Sequence, residues 1–154
     1  MPRIIPFHAD FKEAFRNLNL GWLDAHQLTE GHDLEILDDP ETFCKTHGGE
    51  IFLMVEGQEL VGSVALFQAG SDTVELGKMA VAPKWQGQGY ARHLMEFALK
   101  RARDLKQKKV ILYSNHKLQR AIRIYEQYGF VHVEPDAPHY QTADVKMEYI
   151  IPTN

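Results

Sequence analysis

The stretch that is most informative about the fold reads Gln86, Gly87, Gln88, Gly89, Tyr90, Ala91. It follows an apolar run that Pro83 stops, and it opens a long amphipathic pattern. Glycines at these positions allow a tight backbone turn, and a helix that begins here offers unpaired N–H groups and a partial positive charge. The stretch therefore suits a bound phosphate, and the alternative is an ordinary turn from a strand into a helix.

Two other phosphate-binding motifs do not fit this stretch. A P-loop ends in Gly-Lys-Ser/Thr, whereas Gly89 is followed by Tyr90 and Ala91. A dinucleotide-binding loop needs Gly or Ala three positions after its second glycine, where this chain has Arg92. The strands predicted before the loop are antiparallel, which also disfavours a βαβ nucleotide-binding fold.

The pattern after the loop predicts the clearest helix of the chain. Its apolar residues recur at helical spacing: Ala91, Leu94, Met95, Ala98, Ala102 and Leu105. An apolar run at 110–113 then predicts a buried strand, and a second helix over 118–128 stops at Gly129. A strand, a helix and a strand in this order predict a parallel strand pair with a crossover helix.

The sequence before the loop begins with helical periodicity. Apolar residues at helical spacing over 11–23 predict an N-terminal helix whose first turn Asp10 caps. A second short helix over 34–37 is expected to end before Pro40.

Strand-like periodicity follows. The apolar runs 51–55, 60–67 and 74–81 predict an antiparallel meander, and 131–133 and 145–150 are candidate closing strands. We therefore expect a single α/β domain over residues 1–154, with a mixed, mostly antiparallel sheet and flanking helices.

Composition indicates a globular protein. Of 154 residues, 44% are hydrophobic, and the formal net charge of −4 disfavours a general nucleic-acid binder. No apolar run reaches the roughly 20 residues of a membrane span, and the start of the chain is too interrupted by Pro for a signal peptide. The lone cysteine, Cys44, cannot form an internal disulfide, so we expect a reducing, cytoplasmic location.

Positive charge is concentrated around the loop. Residues 78–109 hold nine Lys/Arg against two acids. A solvated helix face accounts for the basic residues of 100–109, and a site for a polyanionic ligand is the alternative.

Two segments carry a resemblance to a known family. Gln86, Gly89 and Ala91 occupy the three defining positions of the pattern Gln/Arg-x-x-Gly-x-Gly/Ala, which resembles the acetyl-CoA pyrophosphate loop of the GNAT N-acetyltransferase superfamily. The later run from Ala121 to Phe130 resembles the second signature of that family, Ala-x-x-Leu-Tyr-x-x-x-Gly-Phe. The resemblance covers residues 74–130. It implies a GNAT-like sheet in which the parallel strands 74–81 and 110–113 are splayed.

The same resemblance implies acetyl-CoA as co-substrate, with its pantetheine arm between the splayed strands. Backbone groups around Met79 and Val81 would pair with that arm, and N–H groups of the loop would hold the pyrophosphate. Arg92 or Lys84 would add charge to the phosphates, with surface solubility as the alternative for either cation. The implied cofactor-binding residues are Met79, Ala80, Val81, Gln86, Gly87, Gln88, Gly89, Tyr90, Ala91, Arg92 and Asn115.

The choice of Asn115 follows from a departure from the family pattern. Many members have Asn three residues before the alanine of the second signature, and this chain has Leu118 there. Asn115 lies three residues further upstream, where it either does a similar polar job at the strand end or caps the next helix.

The reaction is attack of an amine on a thioester, which requires a base for the amine and an acid for the leaving sulfur. Tyr125 stands at the tyrosine position of the family signature and is the candidate acid. Its alternative is a core aromatic. Glu75 is the candidate base, because many members place a glutamate on this strand. Its alternative is a solvent-facing strand residue. Glu30 and Asp33 are further candidates for contacting a cationic acceptor, with a surface role as the alternative.

The resemblance therefore predicts an N-acetyltransferase for a primary amine of a small molecule, amino acid or peptide, with no nucleic-acid or membrane partner. Homodimerisation is a habit of the family. A non-catalytic module that senses acyl-CoA and an enzyme for longer acyl chains are the alternatives. The eight histidines show no metal-binding spacing, so no metal is expected, and Cys44 is expected to be a buried or incidental thiol.

Overall fold

The computed structural model describes residues 1–26, 28, 31–135 and 142–153. The strands run β1 Arg3–Pro6, β2 Gly49–Glu56, β3 Glu59–Gln68, β4 Thr73–Val81, β5 Lys109–Ser114, β6 Val131–Val133 and β7 Val145–Ile150. The helices run α1 Lys12–Ala25, α2 Gly31–Asp38, α3 Pro40–His47, α4 Tyr90–Asp104 and α5 Gln119–Gln127. Short 3-10 helices, Ala9–Phe11 and Pro83–Trp85, precede α1 and the loop before α4.

All seven strands form one sheet in the order β1-β2-β3-β4-β5-β7-β6. β4 and β5 are parallel neighbours, with α4 as the crossover, and the other neighbouring strands pair antiparallel. This confirms the predicted α/β fold, a mixed and mostly antiparallel sheet with one parallel pair and flanking helices.

The sheet is buried on both faces, which explains the continuous apolar run of β2. Ile51, Leu53 and Val55 pack with Phe15 of α1 and the apolar residues of α2. The alternate residues of β2, Phe52 and Met54, pack on the other side with α4 and α5. β2 therefore packs against helices on both faces, and this is true of the central part of the sheet.

β4 and β5 pair only at their beginnings. The parallel ladder joins three residue pairs and ends where Glu75 lies beside Ile111. On its other side β4 continues to pair with β3, up to Val81 beside Gly62. The strands therefore part beyond Glu75, and a cleft opens between them.

An irregularity in β4 lies at this parting. The register between β3 and β4 shifts between Ser63 and Ala65, which places Lys78 and Met79 opposite one residue of β3. Lys78 has a φ of 48°, in the left-handed region that residues other than glycine seldom adopt. This is a β-bulge, which bends the strand and turns a side chain away from simple alternation.

Buried polar groups hold the bulge in place. The Ser63 hydroxyl donates to the Lys78 carbonyl at 2.6 Å. The Asn19 side chain of α1 donates to the Ser63 hydroxyl at 3.2 Å and to the Phe15 carbonyl at 3.0 Å. Ser63 is 0% exposed, so these bonds compete with little water. The bulge is therefore tied to the first helix.

The start of the chain differs from the prediction. β1 lies at the edge of the sheet and pairs with β2. Pro6 at its end is tolerated there, because proline, which has no N–H to donate, is confined to edge strands and strand ends. The prediction that Asp10 caps α1 is wrong. The N-cap of α1 is Phe11, and the backbone N–H of Asp10 donates to Nδ1 of His8 at 3.1 Å.

The region around Pro40 also differs. The predicted short helix over 34–37 is part of α2, and Pro40 begins α3, which the sequence analysis missed. Proline suits the first position of a helix, and the Asp39 carboxylate caps α3 by accepting from the Thr42 N–H at 3.3 Å. Hydrogen bonds from Thr42, first from its side chain and then from its backbone, lower the pKa of Asp39.

Several basic residues near the end of α4 and at the start of β5 are ion-paired. Arg101 donates two hydrogen bonds, each 2.8 Å, to Glu50, which raise the pKa of Arg101. Lys100 pairs with Asp104 at 3.0 Å and Lys109 with Glu148 at 3.5 Å. These pairs favour the solvated helix face over a polyanion site.

We expect Ser63→Ala to lower the free energy of unfolding by about 1–3 kcal/mol, because the Lys78 carbonyl and the Asn19 amide lose a buried partner. The measurement is urea denaturation. Ser71→Ala removes the same group from an exposed turn and is expected to change stability by less than about 0.5 kcal/mol. Equal losses in the two variants would contradict a structural role for the buried network.

Candidate active site

The predicted phosphate loop forms a glycine-lined cradle at the start of α4. Gly87 and Gly89 have φ values of 79° and 84°, in the left-handed region. Gly89 is the N-cap of α4, and in this fully described segment no side chain caps the first turn. The N–H groups of that turn therefore keep their hydrogen-bonding capacity for a ligand.

The space around the cradle fits a phosphate group. A Cβ atom built on Gly87 or Gly89 would have no atom within 4 Å, so the backbone can be approached closely at both positions. The uncapped N–H groups and the positive end of the α4 dipole are the donor set that phosphates require. The residues present therefore fit the pyrophosphate of acetyl-CoA.

Two side chains beside the cradle, Gln86 and Arg92, connect it to neighbouring elements. Gln86 donates from Nε2 to the Val81 carbonyl at 3.0 Å, so its amide joins the loop to the end of β4. Arg92 hydrogen bonds to Gln127 of α5 and lies 6.0 Å from the centre of the Tyr128 ring. Arg92 is exposed at the first turn of α4 and keeps its charge close to the cradle.

Lys84 forms an ion pair with Glu59 rather than lying free beside the cradle. Its ammonium pairs with Glu59 at 3.1 Å, and Nε1 of Trp85 donates to the same carboxylate at 3.0 Å. The hydrogen bond from Trp85, followed by that from Lys84, lowers the pKa of Glu59. Of the two cations proposed for the phosphates, Arg92 is therefore the better placed.

A cavity of about 120 Å³ lies at the fork of β4 and β5. It brings together four of the predicted site residues, Glu75, Met79, Asn115 and Tyr125, with Asp33. The described lining does not include Ala80 and Val81, which end β4, or residues 86–92, which form the loop and the first turn of α4. The predicted site residues therefore fall into two groups, one in the cavity and one around the loop.

Tyr125 is held on α5 by its neighbours in the second signature. Its ring centre lies 6.0 Å from that of Phe130, and Phe130 is 3% exposed in the core. The phenol lines the cavity, and burial there raises the pKa of Tyr125 to about 12. Because this value is far above neutral pH, the hydroxyl carries its proton and can donate it.

Glu75 lies on β4 at the last parallel pair before the strands part. It is 8% exposed, so the alternative of a solvent-facing strand residue is wrong. Its cross-strand neighbour is Phe67, which packs on the side of α1 and α2. A carboxylate in this lining can take a proton from an amine that enters from the α1 side.

Asn115 connects two parts of the cavity wall. Its Nδ2 donates to the Thr142 carbonyl at 2.6 Å, and its Oδ1 accepts from the Lys117 N–H at 3.0 Å. The bond with Lys117 closes a local turn just before α5, and the N-cap of α5 is Leu118. Asn115 therefore orders the exit of β5, and cofactor binding by Asn115 stays a prediction.

The sequence analysis missed an ion pair in the cavity wall. Lys78 and Asp33 are paired, and their side chains are 6% and 4% exposed. A surface role for Asp33 is therefore wrong. The signal in the sequence was a lysine inside the apolar run 74–81, but its partner was not deducible, because the two residues lie 45 positions apart. The other acidic candidate, Glu30, lies outside the described residues.

Other chemistries have little support in the described residues. No group of three His, Cys, Asp or Glu side chains among them could hold a metal ion. Cys44 is half-buried, and burial raises the pKa of its thiol, which disfavours a nucleophilic role. In the part of the chain that the structure describes, the helices are too short or too polar to cross a membrane.

The chain matches the Acetyltransferase (GNAT) family over residues 12–130. It is 34% identical over 90 residues to the uncharacterised N-acetyltransferase YjgM of Escherichia coli (strain K12). That match covers 56% of this chain and 54% of YjgM, so the chain spans about half the length of this curated relative.

Solved structures show the same fold at low identity. A GNAT-family acetyltransferase from Staphylococcus aureus Mu50 superposes with a TM-score of 0.88 at 18% identity, over 99% of this chain and 100% of that one. Spermidine N-acetyltransferase from Vibrio cholerae, solved with CoA and spermine, superposes with a TM-score of 0.73 at 22% identity, over 97% and 95%. With a family match over more than half of its residues and a sheet that parts between β4 and β5, the chain belongs to the acetyltransferase (GNAT) family.

Proposed function

We propose that the chain is an acetyl-CoA-dependent N-acetyltransferase that acts on a primary amine of a small molecule, amino acid or peptide. The observation that carries the proposal is the position of two features along β4, whose edge toward β5 is unpaired beyond Glu75. A cavity at the fork of β4 and β5 holds Tyr125 with Glu75, and a glycine cradle that suits a pyrophosphate follows the end of β4 at the start of α4.

The cradle and the edge of β4 have a binding role in this proposal. N–H groups of residues 88–91 hold the pyrophosphate, and Arg92 adds positive charge. Backbone groups of β4 around Met79 and Val81 pair with the pantetheine in the space that β5 leaves open. Acetyl-CoA supplies the thioester whose acyl carbon the amine attacks.

Glu75 and Tyr125 move the protons. Glu75 takes a proton from the amine, which is mostly protonated at neutral pH and must be neutral to attack. As the new C–N bond forms and the C–S bond breaks, the Tyr125 hydroxyl gives its proton to the leaving sulfur. The nitrogen loses a second proton in forming the amide. Because one of the two protons lost goes to sulfur through Tyr125, the reaction releases one proton overall.

A specific pair of observations favours an enzyme over a module that only senses acyl-CoA. Binding alone would need the cradle and the cleft, whereas a buried carboxylate and a buried protonated phenol in one cavity serve proton transfer. Assembly into a homodimer stays a prediction.

We expect purified protein to consume acetyl-CoA, read as free thiol, with at least one class in a panel of amines, amino acids and short peptides. Gly89→Ala is expected to raise the Km for acetyl-CoA about tenfold, because a methyl group would occupy the cradle and its N–H groups would shift.

Gly57→Ala is the matched control. Gly57 has a φ of 59° in the β2–β3 turn, and a Cβ there also meets nothing within 4 Å. Both variants should lose about 1 kcal/mol of stability from the left-handed backbone. Equal changes in Km would contradict phosphate binding at the cradle, and absence of acetyl-CoA binding by the wild type would refute the proposed function.

We expect Tyr125→Phe to lower the turnover number about a hundredfold, with little change in the Km for acetyl-CoA, because the leaving sulfur loses its proton donor. Since the pKa of Tyr125 is raised to about 12, the wild-type turnover number should show no loss near the ordinary tyrosine pKa. Tyr149→Phe is the control, because Tyr149 packs on Phe130 outside the described lining. An unchanged turnover number in Tyr125→Phe removes it from the acid role.

We expect Glu75→Gln to abolish the fall in turnover toward acidic pH and to lower turnover at neutral pH, because the amide cannot accept the proton of the amine. The measurement is the pH profile of the turnover number at saturating acetyl-CoA. Glu148→Gln on β7 removes a partly buried carboxylate outside the cavity and should keep the wild-type profile. A wild-type profile in Glu75→Gln would mean that a different base, such as a water chain, serves the amine.

A further inference from the structure

The ion pair between Lys78 and Asp33 lies in the part of the cavity where the acceptor amine would enter. Asp33 belongs to α2 and Lys78 to the bulge of β4, and both line the cavity with Trp22, Leu23 and Leu28. Among the described residues, these three side chains give the wall an apolar part, while Asn19 and Glu75 line the same cavity. Lys78 and Asp33 pair with each other, and both side chains are more than nine-tenths buried.

The bulge is what brings Lys78 to this wall. Side chains alternate along a strand, so Lys78 would share the α4 side of the sheet with Leu76. Glu75, the neighbour of Phe67, lies on the opposite side, toward α1 and α2. The extra residue and the left-handed φ at Lys78 interrupt this alternation, and its ammonium reaches Asp33 on the side of Glu75.

A cationic residue at this point has a direct consequence for amine selection. In the proposed function, an acceptor with a single amino group would place it at Glu75 and Tyr125, and its carbon skeleton would contact Trp22, Leu23 and Leu28. A second ammonium at the far end of the acceptor would meet the ammonium of Lys78, and the carboxylate of Asp33 already pairs with that lysine. Burial makes this repulsion strong, because little water screens it.

We propose that the Lys78–Asp33 pair is a specificity filter that selects acceptors with a single positive charge and an apolar body, and rejects diamines and polyamines. The proposal rests on the proposed function and names the substrate class of that site. It separates this chain from a protein of the same fold, the spermidine N-acetyltransferase of Vibrio cholerae, which was solved with spermine.

Cadaverine and n-hexylamine test the filter, because they have the same length and differ in one terminal ammonium. The quantity measured is the ratio of kcat/Km for cadaverine to that for n-hexylamine. Calorimetric dissociation constants of both amines on the CoA-loaded protein give a second preference ratio that does not depend on turnover. We expect wild-type protein to prefer n-hexylamine at least about tenfold.

Two single variants should change this ratio in opposite directions. Lys78→Met keeps the length of the side chain and leaves the Asp33 carboxylate to pair with the second ammonium, so the ratio should rise about tenfold. Asp33→Asn keeps the ammonium of Lys78 and removes the negative charge, so the ratio should fall below that of the wild type. General damage to the fold would lower kcat/Km for both amines alike. It could not raise the ratio in one variant and lower it in the other.

Matched controls isolate the charges. The double variant Asp33→Asn with Lys78→Met lacks both charges. Its cadaverine to n-hexylamine ratio should therefore be lower than that of Lys78→Met alone. Lys100→Met removes the same charge from an exposed ion pair on α4 and should keep the wild-type ratio. If Lys78→Met does not fold, the ratios of the wild type and of Asp33→Asn still test whether the pair acts as a specificity filter.

Wild-type protein that acetylates or binds cadaverine as well as n-hexylamine overturns the filter and leaves the proposed function standing. An unchanged ratio in folded Lys78→Met also overturns it. Failure to bind acetyl-CoA refutes the proposed function itself, and the calorimetric ratio for the two amines is then measured on the protein alone.

Discussion

β4 and β5 stop pairing after Glu75 and Ile111, and the whole site depends on this parting of two parallel strands. A continuous sheet would present side chains to the helices on both faces and leave no opening. Here β4 follows β3 while β5 follows β7, so the fork becomes a cavity. The loop that leaves β4 then starts α4 beyond the same opening. The glycine loop and the buried groups Glu75 and Tyr125 are therefore positioned around the same strand, although they come from distant parts of the chain.

The bulge at Lys78 is the costly part of this arrangement. A left-handed φ at a residue other than glycine costs about 1 kcal/mol, and a buried ammonium costs more unless it is paired. The Ser63 hydroxyl, which itself accepts from Asn19, donates to the carbonyl of the bulge, and Asp33 pairs with its ammonium. The same few groups thus stabilise the bend of the strand and place a charged pair in the cavity wall. In the proposed function, this would connect the shape of β4 with the choice of acceptor.

Burial affects Tyr125 and Glu75 differently. At Tyr125 it raises the pKa to about 12, which keeps a proton on the hydroxyl at neutral pH. At Glu75 it places a carboxylate in a lining that excludes most water, with 8% of the residue exposed. The helices α1 and α2 pack on the side of the sheet to which Glu75 belongs, so the core and the proposed site share the same cover.

Local patterns in the sequence were sufficient for the loop, the long helix and the type of sheet. Glycines 87 and 89 before an amphipathic run specify a turn into α4, because backbone freedom and periodicity are properties of neighbouring residues. Tyr125 could be named because it holds the tyrosine position of the second family signature, and Glu75 because it is an acid in an apolar strand where many members of that family place a glutamate. The sequence did not show that Pro40 opens a helix or that β1 joins the edge of the sheet, because both depend on contacts with partners elsewhere. Only the tertiary structure showed that Lys78 pairs with Asp33. A bulge directs the Lys78 side chain to the face opposite to the one that strand alternation predicts, and packing places α2 over the cavity.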